Sequence, residues 1–191
     1  MKARILGLLA LALCAAPAQS AIIQYGATLG PEAVGATGSG TVLLTFDSDA
    51  HTLLIDAAWA GLSGTTTVSH IHCCTATAGA GTVGVAVTPG TLPSFPVGAQ
   101  SGTYVTLLDL TLAATYTTTF VNNFGGGTLS GAEAALLNGL STGKAYFNIH
   151  TTSFPGGEIR GFTQPVPEPG SLALLGLGLA ALGLRRRRAT G

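Results

Sequence analysis

Three histidines are spaced as metal ligands often are. His70 and His72 flank Ile71, and His150 follows Asn148 at the same alternate spacing. Residues two apart in an extended strand share a face. His70 and His72 therefore point the same way, with Cys74 next in that row, and Tyr146, Asn148 and His150 form a second row. If the two strands approach, His70, His72 and His150 converge, with Cys74 as a fourth ligand. Imidazole and thiolate together suit Zn²⁺ or copper. The same histidines could equally be structural groups, hydrogen-bonded to backbone or to Asn148. His51 falls in a turn and reads as solvent-exposed.

Cys73 and Cys74 are adjacent, and the third cysteine, Cys14, lies in the N-terminal apolar run. Consecutive Cα atoms are about 3.8 Å apart across a trans peptide, below the roughly 4.4–6.8 Å usual for a disulfide. In an extended strand the two thiols also point apart. A Cys73–Cys74 bridge therefore requires the chain to turn directly after His72. An intermolecular bridge and a metal-bound Cys74 are the alternatives.

Glu158 and Arg160 alternate around Ile159 and read as an ion pair along one strand face. A lone carboxylate needs a partner for acid–base catalysis, and no second carboxylate has a recognisable spacing. The sequence contains no Gly-x-Ser-x-Gly elbow and no zincin motif. Its glycine-rich runs, Gly79-Ala80-Gly81 and Gly125-Gly126-Gly127, lack the lysine of a phosphate loop. The expected protein is not an enzyme.

Charge separates the chain into three parts. Lys2 and Arg4 precede an apolar run over residues 5–16, and small residues follow at Ala18, Ser20 and Ala21. That order predicts a secretory signal peptide over residues 1–21. At the other end, Val166-Pro167-Glu168-Pro169-Gly170 precedes an uncharged run over residues 171–184 and then Arg185-Arg186-Arg187-Arg188. A helix of that length spans about 21 Å at 1.5 Å per residue, short of the ~30 Å hydrocarbon core. It predicts a short transmembrane helix that serves as a weak anchor, with the arginines cytoplasmic. Between the ends, seven carboxylates face only Lys144 and Arg160, a net charge of −5 over residues 22–167. An acidic domain lacks the basic footprint that nucleic acid requires.

The middle reads as a single β domain over residues 22–163, followed by a linker and tail over 164–191. Val42, Leu44 and Phe46 alternate with Thr41, Leu43 and Thr45. After the turn Asp47-Ser48-Asp49-Ala50, the residues Leu53, Ile55, Ala57 and Trp59 form the next inward row. Further strands are expected over 22–29, 68–73, 82–87, 103–112, 144–150 and 158–163. Thr88-Pro89-Gly90 and Phe154-Pro155-Gly156-Gly157 mark turns. Ser130-Gly131-Ala132-Glu133 reads as a capping box opening one short helix over 134–140, and 122–127 as a loop. About eight strands and one helix suggest an all-β fold, an antiparallel Greek-key β-sandwich.

Two resemblances extend this reading. His70-Ile71-His72, the block Tyr146-Phe147-Asn148-Ile149-His150-Thr151 and the block Phe154-Pro155-Gly156-Gly157-Glu158-Ile159-Arg160-Gly161 resemble the CHRD (chordin-type) domain family. Ala27-Thr28-Leu29-Gly30 through Gly40-Thr41-Val42 is similar to its opening. The resemblance implies a sandwich of superoxide dismutase-like or immunoglobulin-like type, without fixing an activity. Cys73-Cys74 departs from it, standing where many members have glycine and proline. The His-x-His strand is also similar to that of copper/zinc superoxide dismutases, although their full ligand set is not present. The tail, with its motif over 166–170, resembles the PEP-CTERM sorting signal. That resemblance implies cleavage near Val166-Pro167-Glu168-Pro169 by an exosortase, after transient anchoring in the inner membrane of a Gram-negative bacterium. It also implies a cell-surface or extracellular setting in biofilm, with exopolysaccharide or matrix proteins as partners. A non-enzymatic matrix protein and a Zn- or Cu-binding protein are the two functions to be separated.

Overall fold

The computed structural model describes residues 22–167. The expected signal peptide, the remainder of the sorting motif from Glu168 onward, the apolar run and the arginine cluster lie outside the described residues. Nine strands form, all paired antiparallel: β1 (Ile22–Pro31), β2 (Ser39–Asp47), β3 (Thr52–Ala60), β4 (Thr66–His72), β5 (Val85–Val87), β6 (Gly102–Asp109), β7 (Tyr146–Thr151), β8 (Ile159–Phe162) and β9 (Gln164–Pro165). They make one curled sheet in the order β5-β4-β7-β8-β1-β2-β3-β6, with β9 alongside β1. Two facing sheets were expected; what forms is two halves of one sheet. The join is β1, long enough to pair with β2 through Ile22 to Leu29 and with β8 at Gly30 and Pro31.

Period-two burial builds the core. Val42, Leu44 and Phe46 of β2, and Leu53, Ile55, Ala57 and Trp59 of β3, point inward as the alternation requires. Ile71, Phe147, Ile149 and Ile159 from the other half join the same cluster. Trp59 is 4% exposed and stacks on Phe95 with centroids 5.3 Å apart.

Two α-helices form between β6 and β7, rather than one, after a single 3₁₀ turn at Ala113–Thr115. Helix α1 (Thr118–Phe124) covers part of the segment expected to be a loop. Its β-branched residues are poor helix formers, but Thr117 caps it by accepting from the Phe120 N–H, and Phe120 anchors it in the core. Helix α2 (Leu129–Ser141) begins before the expected capping box. Thr128 is its N-cap and accepts from the Gly131 N–H, so Ser130 and Glu133 lie within the helix. Glu133 bonds His51 instead, 2.9 Å away.

Glu158 and Arg160 do not pair. Glu158 precedes β8, and its fully buried carboxylate is held by neutral donors. Oε1 accepts from the Ser63 N–H at 2.6 Å and the Ser63 hydroxyl at 2.7 Å. Oε2 accepts from the Gly64 N–H at 3.2 Å and the Thr151 hydroxyl at 2.6 Å. Burial alone would raise its pKa, but these four bonds outweigh that and hold it below the usual carboxylate value. Arg160 reaches Glu32, 3.3 Å away, across β8 and β1.

Removing the carboxylate leaves several donors buried without an acceptor, so Glu158→Ala is expected to cost about 3 kcal/mol or more, and Thr151→Val about 1–2 kcal/mol. Urea melts followed by Trp59 emission measure both, the emission being blue-shifted in the folded protein and moving red on unfolding. Losses below about 0.5 kcal/mol for both would remove Glu158 as a structural centre.

Candidate metal centre

The two histidine-bearing strands are direct neighbours. In the β4–β7 ladder His72 lies opposite Tyr146, His70 opposite Asn148, and Val68 opposite His150. Because Ile71, Phe147 and Ile149 face the core, the histidines and Asn148 share the opposite face of the sheet. The segment between β4 and β6 passes over this face. It buries His70 and His72 to 8% and 9% exposure.

Each imidazole spends one nitrogen on a backbone carbonyl. His70 Nε2 is 2.7 Å from Gly90 O, His72 Nδ1 is 2.7 Å from Val83 O, and His150 Nδ1 is 2.8 Å from Pro155 O. A carbonyl only accepts, so each of those nitrogens carries the proton. The remaining three nitrogens, His70 Nδ1, His72 Nε2 and His150 Nε2, carry no proton, and His150 Nε2 accepts from Asn148 Nδ2 at 2.9 Å. One ring nitrogen from each histidine lies within 4.8 Å of the others. Ligating histidines are commonly oriented in this way, through the second ring nitrogen. Ligand atoms 2.0–2.1 Å from a shared tetrahedral ion are roughly 3.4 Å apart. His70 Nδ1 and His150 Nε2 are separated by 3.4 Å.

Electrostatics keep the lone pairs available. Burial pushes the His72 pKa down to about 4, with the other two histidines adding to the shift against the bond to Val83 O. Burial lowers His70 as well. His72 Nε2 is buried with no hydrogen-bond partner. Tyr146 stacks on the His72 ring, interplanar angle 5° and centroids 4.7 Å apart, and Arg160 lies 5.1 Å above the Tyr146 ring.

Cys74 is not with the histidines. Strand β4 ends at His72, and the chain turns there instead of continuing the row. Cys73 and Cys74 are joined to each other in a disulfide. Their sulfurs lie against α2, where a Cβ on Gly139 would collide with both. With its sulfur bonded to Cys73, Cys74 offers no thiolate ligand. His51 is exposed, as expected for a turn residue, but is not free: it bonds Glu133, which raises its pKa. Of the sorting motif, Val166 and Pro167 are described, and the Val166 N–H donates to Gln24 O at 2.9 Å.

What the sequence did not single out was the orienting set. Gly90 and Pro155 stand in turns whose Pro-Gly composition is visible, but which way their carbonyls point is not. Asn148 is identifiable from its i, i+2 spacing to His150.

A family model for the CHRD domain matches residues 24–163. A second, for the PEP-CTERM protein-sorting motif, matches residues 165–188. Neither the curated proteins nor the solved structures compared with the chain give a match.

The folded state keeps His72 neutral down to pH about 4, while the unfolded chain protonates near the usual 6.5. The unfolded state thus binds more protons in that window, and stability falls as pH drops through it. The raised pKa of His51 acts in the opposite sense, its contribution being lost as pH rises. In chelator, the melting temperature of His51→Ala should fall from pH 7 to 4.5, and adding His72→Gln should flatten that fall. Equal slopes would contradict it.

Proposed function

This chain belongs to the CHRD domain family, and from that premise we propose that it is an exported, non-enzymatic protein whose domain binds Zn²⁺ or Cu²⁺ through His70, His72 and His150. The sorting motif implies export, transient anchoring in the membrane of a Gram-negative bacterium and processing by an exosortase. The released domain works at the cell surface or in the extracellular matrix of a biofilm, alongside exopolysaccharide. One observation carries the metal reading: three imidazoles bring a ring nitrogen each within 4.8 Å of the others, and no donor satisfies His72 Nε2. Unpaired polar atoms in a buried position are costly unless a ligand engages them.

Binding rather than catalysis is favoured by the commitments of the neighbouring groups. Arg160 is spent on Glu32 and on Gly81 O at 3.0 Å, and the Tyr146 hydroxyl is directed at Val83 O. Neither presents a free acid or base to the histidines. The wider net charge of −5 over residues 22–167 also suits a domain that gathers cations.

Metal binding to the folded state alone raises the melting temperature once free metal passes the dissociation constant, by about 2.7 kcal/mol of stability at a hundredfold excess. Protein purified without an affinity tag and stripped by chelator should therefore show a thermal shift of several degrees with Zn²⁺ or Cu²⁺. His72→Ala should abolish it and His51→Ala should retain it. Absence of any shift with either metal would reject the reading. Processing is tested separately by the intact mass of the native extracellular protein, which should lack residues 171–191. A secreted form that retains its four arginines would overturn that part.

A further inference from the structure

Taking the three-histidine site as premise, we propose that Asn148 Oδ1 is the fourth protein ligand of the metal. Asn148 is 1% exposed and stands in the middle of the site face, opposite His70 on one side and Arg160 on the other. Its Nδ2 is 2.9 Å from the unprotonated Nε2 of His150 and 3.5 Å from Glu32 Oε2, while Oδ1 has no hydrogen-bond partner. The amide end that touches the metal-binding nitrogens is thus the donor. A donor there occupies the His150 lone pair that a metal needs.

The two ends of a carboxamide have nearly the same shape, so a half-turn about its last torsion leaves the packing unchanged and exchanges donor for acceptor. After that turn Oδ1 takes the place beside His150 Nε2, on the face that the three histidines share. The turn gives up the Nδ2 bonds to His150 Nε2 and Glu32 Oε2, so within the protein alone the donor orientation holds. A divalent cation decides it, because it attracts the carbonyl end and repels the N–H end. Glu32, paired with Arg160 Nη1 at 3.3 Å, accepts from Nδ2 at 3.5 Å before the turn and faces Oδ1 after it, an opposition that the bound cation must outweigh. The resulting set is three imidazoles and one amide oxygen. A water ligand could complete the same three imidazoles, and that alternative makes different predictions.

The test compares Zn²⁺ affinity and the visible absorption of the Co²⁺-substituted protein in wild type, Asn148→Asp and Asn148→Leu, each first shown to be folded by circular dichroism. A carboxylate oxygen at the same place is a stronger ligand, so Asn148→Asp should tighten Zn²⁺ binding about tenfold. Asn148→Leu should weaken it by about tenfold or more, within the range usual for losses around metal sites, and should change the Co²⁺ ligand-field bands. Unchanged affinity and an unchanged Co²⁺ spectrum in Asn148→Leu would overturn the proposal in favour of a water ligand. Weakening in both variants would overturn it in favour of a purely donating amide. If His72→Ala still binds like wild type, the three-histidine premise itself fails, which no result at Asn148 alone would indicate.

Discussion

Glu158 places a negative charge where water does not reach, and the chain around it is arranged to answer that charge. No cation is used. Two backbone N–H groups and two hydroxyls surround the carboxylate, drawn from the segment after β3 and from the end of β7. Buried charges without such donors are among the most costly features a fold can carry. The same residue fastens the turn between β7 and β8, because its N–H donates to Ile149 O and its carbonyl accepts from Glu32 N. Thr151, which donates to Glu158, also receives the Phe154 N–H. Pro155 therefore has little freedom, and its carbonyl fixes the His150 ring.

From this anchor the site follows by register. Pairing of β4 with β7 sets His70 against Asn148, and alternation sends their neighbours Ile71 and Phe147 into the core. Packing on one face therefore determines the geometry on the other. A slip of one residue would turn the histidines inward and expose the isoleucines, so the hydrophobic core guards the histidine positions. The face then needs a roof, and the passage from β4 to β6 supplies it together with the carbonyls of Val83 and Gly90.

Much of this was legible in the residues, and the reasons it was not all legible are physical. Alternation located every strand from β1 to β8, because Val42, Leu44, Phe46 and the row ending at Trp59 meet a buried face that tolerates little else. The His-x-His and Asn-x-His pairs disclosed their shared faces, since strand periodicity is local. Nothing local disclosed that Arg160 would reach Glu32 instead of Glu158, a choice made by the pairing of β8 with β1 across the fold. Helix α1 was hidden because weak helix formers are held there by Phe120 and a Thr117 cap. The start of α2 was misplaced because two hydroxyl residues, Thr128 and Ser130, compete as caps, and Thr128 satisfies the Gly131 N–H.

The three oxygens that orient the histidine rings belong to the main chain. Any side chain at position 83 leaves its carbonyl in place, and position 155 needs only a residue that accepts the turn. Position 90 is narrower, because Gly90 has φ +89° and a side chain there would be strained. Loop length is a different matter. Adding or deleting a single residue between β4 and β5, between β5 and β6, or between β7 and β8 would carry a carbonyl away from its ring without altering any histidine. The site is thus buffered against exchange of residues and exposed to changes in their number, so insertions and deletions are the sequence changes that would retune it.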